Sequence, residues 1–195
     1  MTQLAQSKSR LIVICAPSGT GKSTLLERLK KDHPELQWSV SCTTRPIRPG
    51  ERDGVDYHYI TRADFEKRIS QNDFIEWALV HSNYYGTSKS FVDQGIAGGS
   101  ALLFDLDVQG ADAMKRIYGD GAKVIFIRPP SIDELEKRLR GRATDALHVI
   151  EERLKNARVE LTRAQDYDFL VTNDEVERAY GELASIVGNL LKKAA

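Results

Sequence analysis

The chain has 195 residues, with 28 lysines and arginines balanced by 28 aspartates and glutamates. Such a length favours one domain with its own core, and the zero net charge argues against a protein that mainly coats nucleic acid. A hydrophobic fraction of 41% excludes a disordered chain. The polar first ten residues and the two isolated cysteines favour a cytoplasmic protein that has neither a signal peptide nor a membrane partner.

A predicted strand, a glycine-rich loop and a predicted helix open the chain. Residues 11–15 form an uninterrupted apolar run rich in β-branched side chains, typical of a parallel strand that is buried on both faces. Leucines at helical spacing predict a helix over 22–31, which ends before Pro34. Between the two, residues 16–24 match the pattern G-x-x-x-x-G-K-[ST], except that Ala16 replaces the first glycine.

This loop predicts a site for the phosphates of a nucleoside triphosphate. Gly19 and Gly21 permit the backbone angles that turn N–H groups toward an anion, and Lys22 adds a charge for the β and γ phosphates. The Ser23 hydroxyl is a candidate ligand for Mg²⁺, the expected cofactor. Ala16 fits this loop if its φ is negative. The predicted nucleotide-binding residues of the loop are Ala16, Pro17, Ser18, Gly19, Thr20, Gly21, Lys22, Ser23 and Thr24.

The later elements alternate between strand and helix, which predicts an α/β fold with a parallel sheet. Buried strands are predicted at 101–104, 124–127 and 167–171, with helices from about Val108, from about Ser131, over 147–161 and over 176–190. Residues 39–87 differ, because short aromatic segments and turn signals predict a small, mainly β insertion with one helix at 62–70. We therefore expect a single domain, 1–195, whose core of residues 10–38 and 88–190 carries this insertion.

Four segments behind the phosphate loop resemble the successive signatures of guanylate kinases. They are residues 41–51, 54–59, 74–78 and 83–87. The resemblance begins near Arg10 and extends to the last helix. It implies a P-loop three-layer fold with a five-stranded parallel core sheet flanked by helices, a GMP-binding insertion and a short helical lid at about 138–153. It also implies transfer of the γ-phosphate of MgATP to GMP or dGMP, giving ADP and GDP.

The resemblance assigns the phosphate of GMP to two guanidinium groups and two phenols, which suit a dianion. These belong to Arg45, Arg48, Tyr57 and Tyr85. An alternative for the two arginines is a surface ion pair with Glu51 or Asp53, which would have little energetic value. Tyr57 and Tyr59 alternate on a predicted strand, and an alternative for both is an ordinary core or surface aromatic residue, which has most weight for Tyr59.

The resemblance assigns the guanine base to Glu76, Ser41 and Thr87. An ionised carboxylate only accepts hydrogen bonds, so Glu76 suits the N1–H and N2 donors of guanine, and the two hydroxyls can donate to O6. Adenine would turn a lone pair toward Glu76, which predicts strong discrimination against AMP. A structural alternative is hard to find for Glu76, because an unpaired buried carboxylate is unfavourable.

The remaining predicted site residues belong to phosphoryl transfer. The resemblance assigns charge neutralisation at the transferred group to Lys22, Arg45, Arg138, Arg142 and Arg153. The alternative for the basic run that includes Arg138 and Arg142 is a solvated helix end. Either Asp105 or Asp107 can serve the metal; the resemblance favours Asp105 beside GMP and Asp107 near Mg²⁺. Asn173 is either an adenine-side contact or a helix cap.

Two other functions compete with nucleotide phosphorylation. A kinase for a phosphorylated sugar on the same scaffold would not need Ser41, Glu76 and Thr87 together. A non-catalytic interaction module would be expected to have lost the phosphate loop and the lid arginines, which are present here. The absence of an NKxD-type motif disfavours a switch GTPase. The expected partners are therefore the small molecules GMP and ATP, with no nucleic acid, and the sequence leaves open whether copies of the chain associate.

Overall fold

A computed structural model describes residues 10–80, 82–141 and 146–192. The strands are β1 Arg10–Cys15, β2 Gln37–Trp38, β3 Cys42–Thr43, β4 His58–Tyr59, β5 Phe74–Val80, β6 Asn83–Ser88, β7 Ala101–Leu106, β8 Ala122–Arg128 and β9 Phe169–Thr172. The α-helices are α1 Lys22–Asp32, α2 Arg62–Ser70, α3 Lys89–Ala97, α4 Val108–Tyr118, α5 Ile132–Gly141, α6 Leu147–Thr162 and α7 Val176–Lys192. Short 3-10 turns follow α4 and α6.

The core is a five-stranded parallel sheet in the order β2-β7-β1-β8-β9. β1 lies in its centre and is buried on both faces, as its sequence predicts. Ile12 and Ile14 pack into a cluster with α1 and α7, whereas Val13 and Cys15 pack on the opposite side with α4. The sheet is therefore the middle layer of three, which confirms the predicted fold class.

A second sheet of four strands, in the order β4-β3-β6-β5, is formed by residues of the predicted insertion. The pair β3–β4 is parallel, and β6 pairs antiparallel with both β3 and β5. Helix α2 covers this sheet, and its Phe65 stacks on Phe74 with ring centroids 4.4 Å apart. The helix occupies the predicted range, with the Thr61 hydroxyl accepting a hydrogen bond from the Asp64 N–H at its start.

β7 and β8 are two to three residues longer than predicted, and β9 is displaced along the chain. β9 begins at Phe169 rather than Tyr167, and it continues to Thr172. The two residues before it are held by side-chain contacts, since the Tyr167 hydroxyl bonds to Asp112 and the Asp168 carboxylate accepts from Lys115 and from the backbone of Val124. These contacts replace the ladder hydrogen bonds that a longer strand would make.

The carboxyl ends of the parallel strands bring the predicted nucleotide residues to one edge of the core. The phosphate loop follows β1, Asp105 and Asp107 lie at the end of β7, and Asn173 follows β9. In sheets of this kind, ligands bind at the carboxyl edge, where neighbouring connections leave to opposite sides. The strand order therefore identifies this edge as the place to look for a site.

Candidate active site

The phosphate loop has the backbone conformation that its glycines predict. Gly19 and Gly21 have φ of 89° and 85°, and Lys22 is the first residue of α1. Among the described residues that carry a side chain, positive φ occurs only at Asn72 and Ser82. Ala16 therefore meets the condition set by the sequence, and alanine is tolerated where the motif usually has glycine. The loop presents backbone N–H groups at a helix N-terminus, a favourable place for phosphate.

Gly21 has a second requirement, which Gly99 does not share. A Cβ at Gly21 would lie 2.6 Å from Nδ2 of Asn173, whereas a Cβ at Gly99, with φ of 69°, would have open space. We expect Gly99→Ala to lower the free energy of unfolding by about 1 kcal/mol without changing activity. Gly21→Ala should lower it further and raise KM for ATP at least about tenfold, because Asn173 must move. Denaturant unfolding and ATP kinetics on both variants check this, and similar behaviour of the two would contradict it.

Lys22 connects the phosphate loop to the end of β7. Its Nζ forms an ion pair with the Asp105 carboxylate and donates to the Leu106 carbonyl at 2.6 Å. Asp107 lies two residues further on and caps α4, with its Oδ1 accepting from the Gly110 N–H at 2.8 Å. Burial raises the pKa of Asp107. The two carboxylates that the sequence could not separate thus differ, since Asp105 contacts the loop lysine and Asp107 starts a helix.

Arg138 and Asn173 hold the other side of the loop. The Asn173 side chain is 4% exposed, and its Nδ2 donates to the Thr20 carbonyl at 2.6 Å. Arg138 donates from Nη1 to the carbonyls of Thr20 and Asn173, at 3.3 and 3.0 Å. The side-chain amide of Asn173 thus bonds to the phosphate loop rather than capping α7. These side chains, with Gly21, Gly141 and Val176, line a cavity of about 500 Å³ beside the phosphate loop.

The second sheet carries a buried carboxylate, Glu76. Glu76 is 7% exposed and lies opposite Thr87 across the β5–β6 pair, just after a bulge in β5. The Thr87 hydroxyl donates to Glu76 Oε1 at 2.5 Å. Burial raises the pKa of Glu76 to about 7, against the effect of the Thr87 hydrogen bond, and the charge of Asp107 raises it further. A ligand that donates hydrogen bonds to Glu76 would favour its ionised form, which burial alone disfavours.

The raised pKa of Glu76 has a consequence for stability. A carboxyl whose pKa is higher in the folded state stabilises the fold below its unfolded value of 4.5, and this contribution is lost as the pH rises through about 7. Relative to Glu76→Gln, the unchanged protein should lose on the order of 3 kcal/mol between pH 4.5 and pH 8. Denaturant unfolding of both proteins across this range checks the prediction. Parallel profiles would show that Glu76 titrates normally.

Arg45 forms a bidentate ion pair with Glu51. Nη1 donates to Oε2 at 3.0 Å and Nη2 to Oε1 at 2.8 Å, with only 10% and 21% of the two side chains exposed. Arg45 therefore forms the ion pair with Glu51 that the sequence analysis gave as an alternative. The pair is mostly buried and does not lie on the surface. Tyr59 belongs to the same group, because its hydroxyl donates to Glu51 Oε2 at 2.7 Å.

The two predicted phosphate-binding tyrosines lie next to each other. The rings of Tyr57 and Tyr85 meet edge to face with centroids 5.8 Å apart, and the guanidinium of Arg45 lies 5.5 Å from the Tyr57 ring centre. Burial, followed by the charge of Asp105, raises the pKa of the Tyr57 phenol. The charge of Asp105, which pairs with Lys22, therefore acts on a residue of the insertion.

The structure thus forms two adjacent groups from the predicted residues. Lys22, Asp105, Arg138 and Asn173 surround the phosphate loop, and Arg45, Tyr57, Tyr85, Glu76 and Thr87 belong to the second sheet. Ser41 is buried beside β3, the Arg48 side chain is exposed, and Arg153 is half-buried on α6. Arg142 lies outside the described residues.

Two acidic residues near these groups were not predicted as site residues. Glu51 stands at the end of the first acceptor segment, where it was considered only as an ion-pair partner. Glu160 looks like any polar position of α6, but burial and the charge of Asp107 raise its pKa to about 7, and the charge of Lys22 opposes them. The sequence held a signal for Glu51, namely its spacing from Arg45 and Arg48. It holds no such signal for Glu160.

In the described part of the chain, no three His, Cys, Asp or Glu side chains form a group that could hold a metal ion. Within residues 10–80, 82–141 and 146–192, no helix is long and apolar enough to cross a bilayer.

Comparison with known proteins identifies the family. The sequence model described as guanylate kinase matches residues 8–190. Guanylate kinases of Chlorobaculum tepidum and Myxococcus xanthus are 45% and 47% identical to the chain, over 94% and 91% of it and over 94% and 85% of their own lengths. The crystal structure of guanylate kinase from Anaplasma phagocytophilum is similar, with a TM-score of 0.75, 29% identity, and coverage of 97% of this chain and 90% of that one. The chain belongs to the guanylate kinase family.

Proposed function

We propose that this ATP:GMP phosphotransferase holds GMP on its second sheet and MgATP on its phosphate loop, and that the γ-phosphate crosses between them. The observation that carries the proposal is the buried Glu76–Thr87 pair, which lies within the electrostatic reach of Asp107 at the edge of the core sheet. In this arrangement residues 39–87 form the acceptor-binding part, and residues of about 138–153 form a lid over the donor.

Glu76 is proposed to read the guanine base. When ionised, it accepts from N1–H and from the N2 amino group, which adenine does not offer together. The single proton of the Thr87 hydroxyl is already donated to Glu76, so Thr87 orients the carboxylate and Ser41 is the better donor for O6. A site built around donors on the base rejects a base that lacks them, because the buried carboxylate would remain unpaired. None of these proposed contacts involves the ribose, so dGMP should bind in the same way as GMP.

The acceptor phosphate is proposed to lie among Arg45, Arg48, Tyr57 and Tyr85. Support comes from the distance of 5.5 Å between the Arg45 guanidinium and the Tyr57 ring centre, and from the contact of that ring with Tyr85. Two guanidinium groups counter the charge of the dianion, and the phenols donate hydrogen bonds to its oxygens. Arg45 would serve both binding and transfer, since a permanently charged guanidinium can hold the phosphate and neutralise charge that develops on it.

The donor phosphates are proposed to lie on residues 16–24, with Lys22 at the transferred group. Arg138 supports this arrangement, because it already contacts the loop carbonyl of Thr20. Arg142 and Arg153 are the further lid arginines, and together they would neutralise charge that spreads over the γ-phosphoryl in the transition state. Asn173 would border the adenine side through the cavity that it lines.

Mg²⁺ is proposed to arrive with ATP rather than to occupy a protein cage. The available donors are oxygens only, the Ser23 hydroxyl and the carboxylate of Asp107, and Mg²⁺ commonly combines one or two such ligands with phosphates and waters. Bound there, the ion would neutralise phosphate charge. Asp107 keeps one oxygen on Gly110, which fixes the orientation of the carboxylate.

We place this activity in the cytoplasm, on small nucleotides, with no nucleic acid or membrane as partner. The balanced net charge and two buried free cysteines support this setting.

The test is a panel of acceptors with MgATP in a coupled assay of ADP release. GMP and dGMP should be phosphorylated at least about a thousandfold more efficiently than AMP, CMP and UMP. Omitting Mg²⁺ should abolish the rate. Equal efficiency with AMP would contradict the role of Glu76, and a preference for a phosphorylated sugar would contradict the function.

A further inference from the structure

Glu51 accepts more hydrogen bonds than an ordinary ion-pair partner does. Its two oxygens accept two bonds from Arg45, one from the backbone N–H of Arg48 at 2.8 Å and one from the Tyr59 hydroxyl at 2.7 Å. These bonds, led by those of Arg45 and opposed by burial, lower the pKa of Glu51 to about 2. The carboxylate is therefore fully ionised and fixed from three directions.

The pair with Glu51 determines which edge of Arg45 is presented to a ligand. A guanidinium group has five N–H donors in a planar fork. The edge formed by Nη1 and Nη2 faces Glu51, and the second proton of Nη1 is donated to the Pro46 carbonyl at 2.9 Å. Nε and the remaining proton of Nη2 form the other edge, and Cζ of the same guanidinium lies 5.5 Å from the centroid of the Tyr57 ring.

Glu51 also closes the loop that carries Arg48. The backbone N–H of Glu51 donates to the Arg48 carbonyl at 3.1 Å, and the Glu51 side chain accepts from the Arg48 N–H. Two hydrogen bonds between the same two residues therefore close the turn. Gly50 provides the positive φ of 88° that this turn needs. The exposed Arg48 side chain therefore projects from a backbone that Glu51 fixes.

We propose that Glu51 is a positioning residue for the acceptor phosphate. Glu51 directs the Nε edge of Arg45 and the loop that carries Arg48 toward this phosphate. The proposal rests on the placement of GMP given above. Glu51 touches neither nucleotide in this scheme, and it acts only through groups that bind the phosphate. Substitution of Glu51 should therefore weaken the binding of GMP, which carries the phosphate, and leave the binding of guanosine unchanged.

The test compares GMP with guanosine in equilibrium binding by calorimetry, using the unchanged protein and Glu51→Gln. An amide keeps the size of the side chain but replaces one acceptor oxygen with a donor that opposes Arg45. We expect the affinity for GMP to fall about tenfold to a hundredfold, and the affinity for guanosine to change less than about twofold. KM for MgATP should stay within about twofold as well.

Two further variants keep the test decisive. Glu66 forms a half-exposed ion pair with Arg62 on α2, the helix that covers the second sheet. Glu66→Gln removes this pair and should leave GMP binding unchanged. Tyr59→Phe removes one of the bonds to Glu51 and should give the same GMP-selective loss at a smaller size, about twofold to fivefold, even if Glu51→Gln fails to fold. Unchanged GMP affinity in Glu51→Gln, or equal losses for GMP and guanosine, would overturn the proposal. Failure of the unchanged protein to phosphorylate GMP would instead refute the proposed function.

Discussion

Replacement of Lys22 by alanine is expected to lower kcat for GMP phosphorylation about a thousandfold while the protein stays folded. Lys22 is the first residue of α1, directly after the loop glycines, and its Nζ pairs with Asp105 at the end of β7. Phosphoryl transfer demands alignment and charge neutralisation, so a lost cation should affect the transition state most. Steady-state kinetics with saturating MgATP and GMP measure the effect.

Lys31→Ala is the matched control for Lys22. It removes the same charge from the far end of α1, at an exposed position. Its kcat should remain within about twofold of the unchanged protein, because the two positions are separated by nine residues of helix, about 14 Å at 1.5 Å per residue. Thermal unfolding of both variants verifies that the fold is kept. A loss of less than about tenfold in Lys22→Ala would place the lysine away from the transferred group.

Replacement of Glu76 by glutamine is expected to reduce kcat/KM for GMP at least about a thousandfold and to remove most of the preference over AMP. The amide has one acceptor and one donor on its end, so it cannot accept from both N1–H and the N2 amino group through two oxygens. The same variant should be more stable than the unchanged protein at neutral pH, since it removes a charge that burial disfavours. The acceptor panel measures the change in preference.

Thr87→Val separates the carboxylate from its hydrogen-bond partner. It keeps the shape of the side chain and removes the hydroxyl that donates to Glu76. We expect a loss of about tenfold in kcat/KM for GMP, with the preference over AMP retained, because the carboxylate is still present. If Glu76→Gln kept the same ratio of GMP to AMP as the unchanged protein, the reading of the base would have to be assigned to other residues.

The conformation of the phosphate loop was predictable because its determinants are local in sequence. A buried strand, a turn of two glycines and a helix follow one another within residues 11–32, so pattern and spacing suffice. The condition on Ala16 is met for the same reason, since it depends only on the local backbone. The placement of α2 and of the parallel sheet likewise followed from periodicity and alternation.

The unpredicted features depend on contacts between distant residues. Asn173 donates to a carbonyl of Thr20, which is 153 positions away, and no local pattern distinguishes this role from a helix cap. Glu51 and Arg45 are close in sequence, but the edge-on geometry of their pair requires the backbone turn at Gly50. The strand β9 began later than expected because Tyr167 and Asp168 bond to side chains of α4 and β8.

The end of β7 sets the interval between two carboxylates at the edge of the core sheet. The Lys22 ammonium pairs with Asp105, and the charge of Asp107 raises the pKa of Glu76. The backbone there is extended, with φ −83° and ψ −179° at Asp107. Two residues of extended chain span roughly 7 Å, a length set by covalent geometry. Substitutions of side chains leave this interval unchanged, whereas an insertion or deletion in the chain at this point would alter the spacing of Asp105 and Asp107.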